Sequence, residues 1–296
     1  MIPVLNDVLP CRSVKGVLAL ACLVLGLAGC GGTETSADAD KTVVAAFYPL
    51  AWAAEQVGGD RIEVVNLTPP GVEPHDIELT PGDVERVRDA DLVLYLGEGF
   101  MPALEDAVAG NGKALDLLAG EELLSAEAES ARDPHIWLDP MRYATVVRAI
   151  AEGLGRPEAA DVLVARLTEL DTEFREALAS CERRRIVTSH AAFAYLADAY
   201  DLDQLALTGL SPEAEPSPRA LEALVNEVTE EAATTVFFET LVSPRLAETV
   251  ARETGARTAA LDPLEGLTKD EVADGEDYFS VMRENLAALR EALGCR

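Results

Sequence analysis

The sequence predicts an α/β protein of two similar lobes, each a parallel β-sheet flanked by helices, joined by one long helix. From Lys41 onward short β-rich runs alternate with longer amphipathic stretches, as strands do when crossover helices pair them in parallel. A helical pattern then runs unbroken from 156 to 181. Finally, "TPGDVERVRDADLVLYLGEGFMPALEDAV" and "SPRALEALVNEVTEEAATTVFFETLVSPRLAETV" share one order of features: Ser/Thr-Pro, helix, apolar strand, acidic loop, helix. Such an echo hints at duplication.

Each element follows from local chemistry. "KTVVAAFYP" (41–49), "IEVVNLTP" (62–69) and "DLVLYLG" (91–97) are β-rich and read as strands. "LAWAAEQVGG" (50–59) reads as a helix closed by Gly58 and Gly59, and "TPGDVERVRDA" (80–90) as one opened by Thr80 with Pro81 in its first turn. The stretch 156–181 has Pro157 at its start and Val162, Ala165, Leu170, Phe174, Ala177 and Leu178 at helical spacing. It is longer than a crossover helix and suits a bridge. The alternation then resumes: strand "RIVTS" (185–189), helix "AAFAYLADAY" (191–200), strand "DQLALTG" (203–209), helix "SPRALEALVNEVTEE" (217–231), strand "TTVFFE" (234–239), helix "SPRLAETVARETG" (243–255) and strand "RTAALDP" (257–263). The expected organisation is an N-terminal lobe at 41–155, a linking helix at 156–182 and a C-terminal lobe at 183–296.

Residues 1–29 stand apart as an export signal, with Arg12 and Lys15 before an apolar run from Val17 to Leu27. That run falls short of the roughly 20 residues of a spanning helix. "LAGC" at 27–30 resembles the end of a bacterial lipoprotein signal, which implies cleavage before Cys30 and a lipid on that cysteine; an ordinary secretory signal is the alternative. Residues 30–40 are small, polar and patternless, as a flexible tether should be. The expected location is the outer face of a bacterial cell membrane, or the periplasm. A formal net charge of −29 repels nucleic acid and attracts cations, besides keeping an exported protein soluble. Cys181 and Cys295 are the cysteines left in the body of the chain, and in an oxidising compartment they are a disulfide candidate, two unpaired thiols being the alternative.

The chain has three histidines, and each follows or lies between predicted elements: His75 in "GVEPHDIEL", His135 in "DPHIWLDP" and His190 directly after "RIVTS". Asp262 ends the strand "RTAAL". In open α/β sheets ligands gather at the carboxyl ends of strands. Three imidazoles and a carboxylate suit a divalent borderline metal, although a lone loop histidine is more often an ordinary polar residue. Asp76, Asp133 and Asp139 are candidates to hydrogen-bond the second ring nitrogen of a ligating histidine, or are turn and cap residues. Glu239 is a further candidate for such support, or a competing ligand.

"GVEPHDIELTPGDVERVRDADLVLYLG", "DPHIWLDP", "RIVTSHAAFAYLADAY", "EAEPSPRALEAL", "VFFE" and "LDPL", in that order, resemble the zinc- and manganese-binding solute-binding proteins of ABC transporters, from about Lys41 to the C-terminus. The resemblance implies two α/β lobes on one rigid helix, with metal in the cleft between them. His75 and His135 would come from the first lobe, His190 and Asp262 from the second. A histidine rather than a glutamate at 190 implies Zn2+ as the transported ligand, because nitrogen-rich ligation favours zinc over manganese. "GEELLSAEAESARD" (120–133) lacks the histidines that many zinc-binding relatives carry there, which keeps Mn2+ or a mixed-metal role open. The implied partners are an ABC permease and, through Cys30, the membrane, with the chain acting as a monomer and binding no nucleic acid. Two other readings are a secreted zinc hydrolase and a surface adhesin that uses metal structurally. No HExxH or GxSxG stands in the sequence, and four protein ligands leave no place for activated water, so no enzyme is expected.

Overall fold

Residues 40–126, 131–214 and 216–296 are described by the computed structural model. The expected signal, Cys30 and the tether up to 39 lie outside them. Strand β1 (Lys41–Ala45) is followed by α1 (Tyr48–Gly58), β2 (Ile62–Asn66), α2 (Pro81–Asp89), β3 (Leu92–Tyr95), α3 (Pro102–Val108) and β4 (Ala114–Asp116). The four strands make a parallel sheet in the order β2-β1-β3-β4. An antiparallel ribbon of β5 (Ser125–Ala126) and β6 (Ala131–Arg132) precedes α4 (Pro140–Gly153) and α5 (Ala160–Leu178).

The second half repeats the plan with β7 (Arg185–Thr188), α6 (Ala194–Ala199), β8 (Asp203–Ala206), α7 (Pro218–Glu230), β9 (Thr235–Phe238), α8 (Arg245–Thr254) and β10 (Arg257–Ala260), closed by α9 (Lys269–Asp274) and α10 (Tyr278–Leu293). Its parallel sheet is ordered β10-β9-β7-β8. Taken from the other edge, this is the order of the first sheet: second, first, third, fourth. The echo in the sequence therefore corresponds to a shared topology.

Helix starts are written into the chain. Thr80 and Asp83 exchange bonds in a capping box at α2, Asp139 accepts from Met141 N–H at α4, and Ser217 accepts from Ala220 N–H at α7; each helix then opens on a proline whose missing N–H costs nothing there. The bridging helix is shorter than 156–181. Pro157–Ala159 form a separate tight turn, and α5 has 19 residues, about 28 Å of helix. Its buried stripe is Leu163, Leu167, Leu170, Phe174 and Leu178. Val162 is 74% exposed, because the spacing that joins Leu170 to Phe174 extends back to Leu163 and Leu167. Helices α4, α9 and α10 were not expected individually. Among the described residues no helix is long and apolar enough to cross a membrane.

One apolar core runs from Val43, Val44, Val93 and Leu94 through α1, α4 and α5 to Ile186 and α10. Trp52 of α1 stacks on Tyr278 of α10 with centroids 5.3 Å apart, so the last helix begins inside the helical layer of the first sheet. A smaller cluster, including Val187, Leu207, Val228, Val236 and Val250, packs under α7 and α8. Neighbours Ile186 and Val187 enter different clusters, as the pleat of a strand requires.

A disulfide joins Cys181, just past α5, to Cys295, just past α10, across a separation of 114 residues. It precedes β7, whereas His190 follows that strand, so the bond lies at the opposite end of the second sheet from the histidine. Replacing both cysteines by serine is expected to lower unfolding stability by about 2–4 kcal/mol, the usual range for closing so long a loop, in a urea titration. Bound metal per chain should stay the same.

Candidate metal centre

His75 sits in a tight turn, Pro74–Asp76, whose first residue is fixed by the proline ring. His135 directly precedes the turn Ile136–Leu138, and His190 directly follows β7. Glu265 lies in the loop after β10, fully buried, as are His135 and His190. Glu265 Oε1 lies 3.0 Å from His135 Nε2, 3.3 Å from His190 Nε2 and 3.4 Å from His75 Nε2. One potential ligand atom from each of these four residues falls within 4.8 Å of all the others.

Two of the imidazoles are aimed by their other nitrogens. His135 Nδ1 is 2.6 Å from Asp133 Oδ1, which also accepts the His135 backbone N–H. His190 Nδ1 is 2.9 Å from Glu239 Oε1, which also accepts from the Ser189 hydroxyl. With Nδ1–H committed to a carboxylate, neutral imidazole turns the Nε2 lone pair toward Glu265. Two acceptors facing one another need a proton or a cation between them. Burial alone would lower the affinity of both histidines for protons; for His135 the charge and hydrogen bond of Asp133 and then Glu265 outweigh it, and for His190 the charges of Glu239 and Glu265 do, so both are held above the usual imidazole range. Glu265 shows the converse. Burial would push it up, but the charge of His190 and hydrogen bonds from all three histidines hold it well below the ordinary carboxylate range.

Asp262 does not join the cluster. Its Oδ1 accepts the Leu264 N–H at 2.6 Å, its Oδ2 accepts the Thr240 hydroxyl at 2.6 Å, and Asn285 brackets its backbone. An aspartate with one oxygen on the backbone of its own loop and the other on Thr240, past β9, holds a turn rather than a ligand set. Burial pushes its carboxyl up to about 7. The turn sends the chain through Leu264 at φ +56°, a left-handed conformation rare for leucine, and delivers Glu265 instead. Glu265 was missed although it stands three residues on in "LDPLEGL". The available signal was a second acid within an otherwise apolar loop.

The supporting candidates divide. Asp133 and Glu239 touch ring nitrogens as described. Asp139 caps α4 through the backbone of Met141 and Arg142, and Asp76 is exposed on its turn, so neither serves an imidazole. An unforeseen member is Glu73, buried two residues before His75, whose Oε1 accepts the His75 backbone N–H at 3.2 Å. Burial, then the charge of Glu265, pushes its carboxyl up to about 9. Phe100 stands edge-on to His75 at 4.5 Å, and Trp137 lies 5.1 Å from His135 while donating to the Pro263 carbonyl at 2.7 Å. These aromatic groups wall off water and hold the Glu265 loop against the His135 turn.

This geometry agrees with what the chain is similar to. The family model described as zinc-uptake complex component A, periplasmic, matches residues 43–292. The high-affinity zinc uptake system protein ZnuA of Bacillus subtilis strain 168 is 34% identical over 94% of this chain and 97% of its own length. The zinc-binding lipoprotein AdcA of Streptococcus pneumoniae strain R6 is also 34% identical over 95% of the chain, which spans 61% of that longer protein. Among solved structures, the Zn(II)-bound ZnuA-like domain of S. pneumoniae AdcA superposes with a TM-score of 0.75 at 34% identity, covering 86% of this chain and 99% of that one. The laminin-binding protein Lmb of Streptococcus agalactiae, described as a bifunctional protein with adhesin and metal transporting activity, gives 0.77 at 29% identity, with 86% and 99% covered. A match through nearly the whole body, over two sheets of one topology that converge on three histidines and a glutamate, places the chain in the ZnuA family of zinc-uptake components.

Proposed function

We propose that this chain is the extracytoplasmic solute-binding protein of a zinc-importing ABC transporter, and that His75, His135, His190 and Glu265 are the ligands of the transported Zn2+. The observation that carries the reading is the convergence of four donor atoms within 4.8 Å in a buried site. Three imidazole nitrogens and one carboxylate oxygen match the donor preference of zinc and complete a tetrahedron. The role is capture and transfer of the ion, with no coordination position left for an attacking water. Lipid on Cys30 would hold the body near its permease, where it acts as a monomer of two lobes bridged by α5.

Capture exchanges protons for the ion at the same Nε2 atoms, while Asp133 and Glu239 keep the rings oriented and offset the incoming charge. Release requires the donors to part. Loops carrying His75 and His135 meet the Glu265 loop through a bond from Gly71 N–H to the Leu267 carbonyl, 2.8 Å, and through Trp137 to Pro263. A docked permease that breaks these bonds draws Glu265 away from two of its three imidazole neighbours.

After chelation, the soluble body offered Zn2+ and Mn2+ together should retain one equivalent of zinc by mass spectrometry. His190→Ala should lose it. Glu265→Gln should weaken zinc binding by at least the roughly tenfold to hundredfold expected even for loss of a ligand's hydrogen-bond support. Asp262→Asn should keep stoichiometric zinc and lose thermal stability instead; the opposite ranking of the two acid variants would return Asp262 to the ligand set.

The raised proton affinities of His135 and His190 fix a pH dependence. Imidazolium cannot ligate, so lowering pH through those raised values favours the proton and weakens zinc. Calorimetric titrations should show affinity falling about tenfold per pH unit for each proton displaced, beginning above the ordinary imidazole value of about 6.5. An affinity flat down to that value would contradict the protonated resting state.

A further inference from the structure

Tyr195 stands in the first turn of α6, on the segment that follows His190, and is fully buried. Its hydroxyl reaches two residues from the other half of the chain. It accepts the Leu124 backbone N–H at 2.9 Å and donates to the Asp133 backbone carbonyl at 2.8 Å. Leu124 and Asp133 flank the β5–β6 ribbon and bond to each other, Asp133 N–H to the Leu124 carbonyl at 2.9 Å. One oxygen thus closes a ring of three hydrogen bonds at the base of the ribbon. The phenol ring is itself held in place: the Arg142 guanidinium lies 4.9 Å from its centroid and donates to the Glu122 carbonyl of the same approach to the ribbon.

The residue gripped by this hydroxyl is the one that aims an imidazole, because Asp133 Oδ1 lies 2.6 Å from His135 Nδ1. The His135 and His190 rings stand with centroids 5.5 Å apart. Resting on the ligand assignment above, we propose that Tyr195 is a positioning residue for zinc capture, whose hydroxyl fixes Asp133 against the His190 segment and so sets the spacing of His135 from His190. Removing the hydroxyl leaves a backbone donor and a buried backbone acceptor without that partner. Asp133 then shifts to recover one, and its carboxylate moves with it. A zinc site registers such a shift, since zinc–nitrogen bonds of about 2.0–2.1 Å hold to within about 0.2 Å.

Tyr195→Phe removes the one oxygen and keeps the ring. In chelator competition its affinity for Zn2+ is expected to fall about tenfold, the lower end of the range for groups that orient a metal's ligands. The same change made in Asp133→Ala protein should add little to the loss that Asp133→Ala causes alone, because Tyr195 acts through that carboxylate. An unchanged affinity in Tyr195→Phe, or losses that simply add in the double variant, would reduce Tyr195 to a core residue and leave zinc capture intact. A wild-type chain that binds no zinc would instead remove the capture reading itself. Should Tyr195→Phe fail to fold, hydrogen exchange on the wild type decides the matter. If the hydroxyl supports zinc binding, zinc must by reciprocity support the hydroxyl's bonds, so the Leu124 amide should exchange about tenfold more slowly with zinc bound. An exchange rate indifferent to zinc would overturn the proposal.

Discussion

The constraint on which the site depends is the burial of Glu265. A carboxylate removed from water needs its charge answered within a few ångströms, and here the answer is three imidazoles converging on one oxygen. Those imidazoles need reasons to point inward, and Asp133 and Glu239 give two of them theirs. A ring of acids around histidines is stable only with positive charge at its centre, carried by protons or by a metal. The protein is thereby organised around an exchange between the two, and its excess of surface acid adds a field that draws cations toward the cleft.

The duplicated topology places these groups with little special machinery. In a sheet ordered second-first-third-fourth, the chain turns in opposite directions from the first and third strands, leaving a crevice between their carboxyl ends. In the second sheet these are β7 and β9, and the residues just beyond them are His190 and Glu239, which bond to each other. The corresponding place in the first sheet, past β1 and β3, holds Phe47 and Phe100 with ring centroids 4.7 Å apart. One switch point is polar and builds a ligand; the other is apolar and buttresses His75.

Most of the strand and helix order from Lys41 to β10, though not β4, the β5–β6 ribbon or α4, was legible because alternation, capping residues and X-Pro starts are local signals, and the three histidines were legible because so few stand in the chain. The fourth member of the cluster was not. "LDPLEGL" offers two acids, and nothing in the order of residues tells which one the loop will spend on its own backbone. The choice is made by Thr240 and Asn285, which trap Asp262 from distant parts of the chain. Glu73 was invisible for a similar reason: "VEPHD" reads as a polar turn until Glu265 is folded against it. The offset in α5 is a gentler case, since Val162 and Leu163 are equally apolar and only the packing partner decides between them.

Packing also determines which motion can release an ion. A wide hinge would have to pull α1 from α10, separating Trp52 from Tyr278 and exposing a core shared by both sheets. Burying a large apolar side chain is worth about 1.5–3 kcal/mol, so opening that seam sets many such terms against the motion. The disulfide further ties the far ends of α5 and α10. The Glu265 loop is restrained as well: Leu261, Leu264 and Leu267 are buried in that core, and Asp262 is held by Thr240 and Asn285. It carries Leu264 in a left-handed conformation and meets the opposing loops through the Gly71 and Trp137 hydrogen bonds. Each such bond has a net value of only about 1 kcal/mol. A displacement of that loop moves the one carboxylate common to all three imidazoles without separating Trp52 from Tyr278.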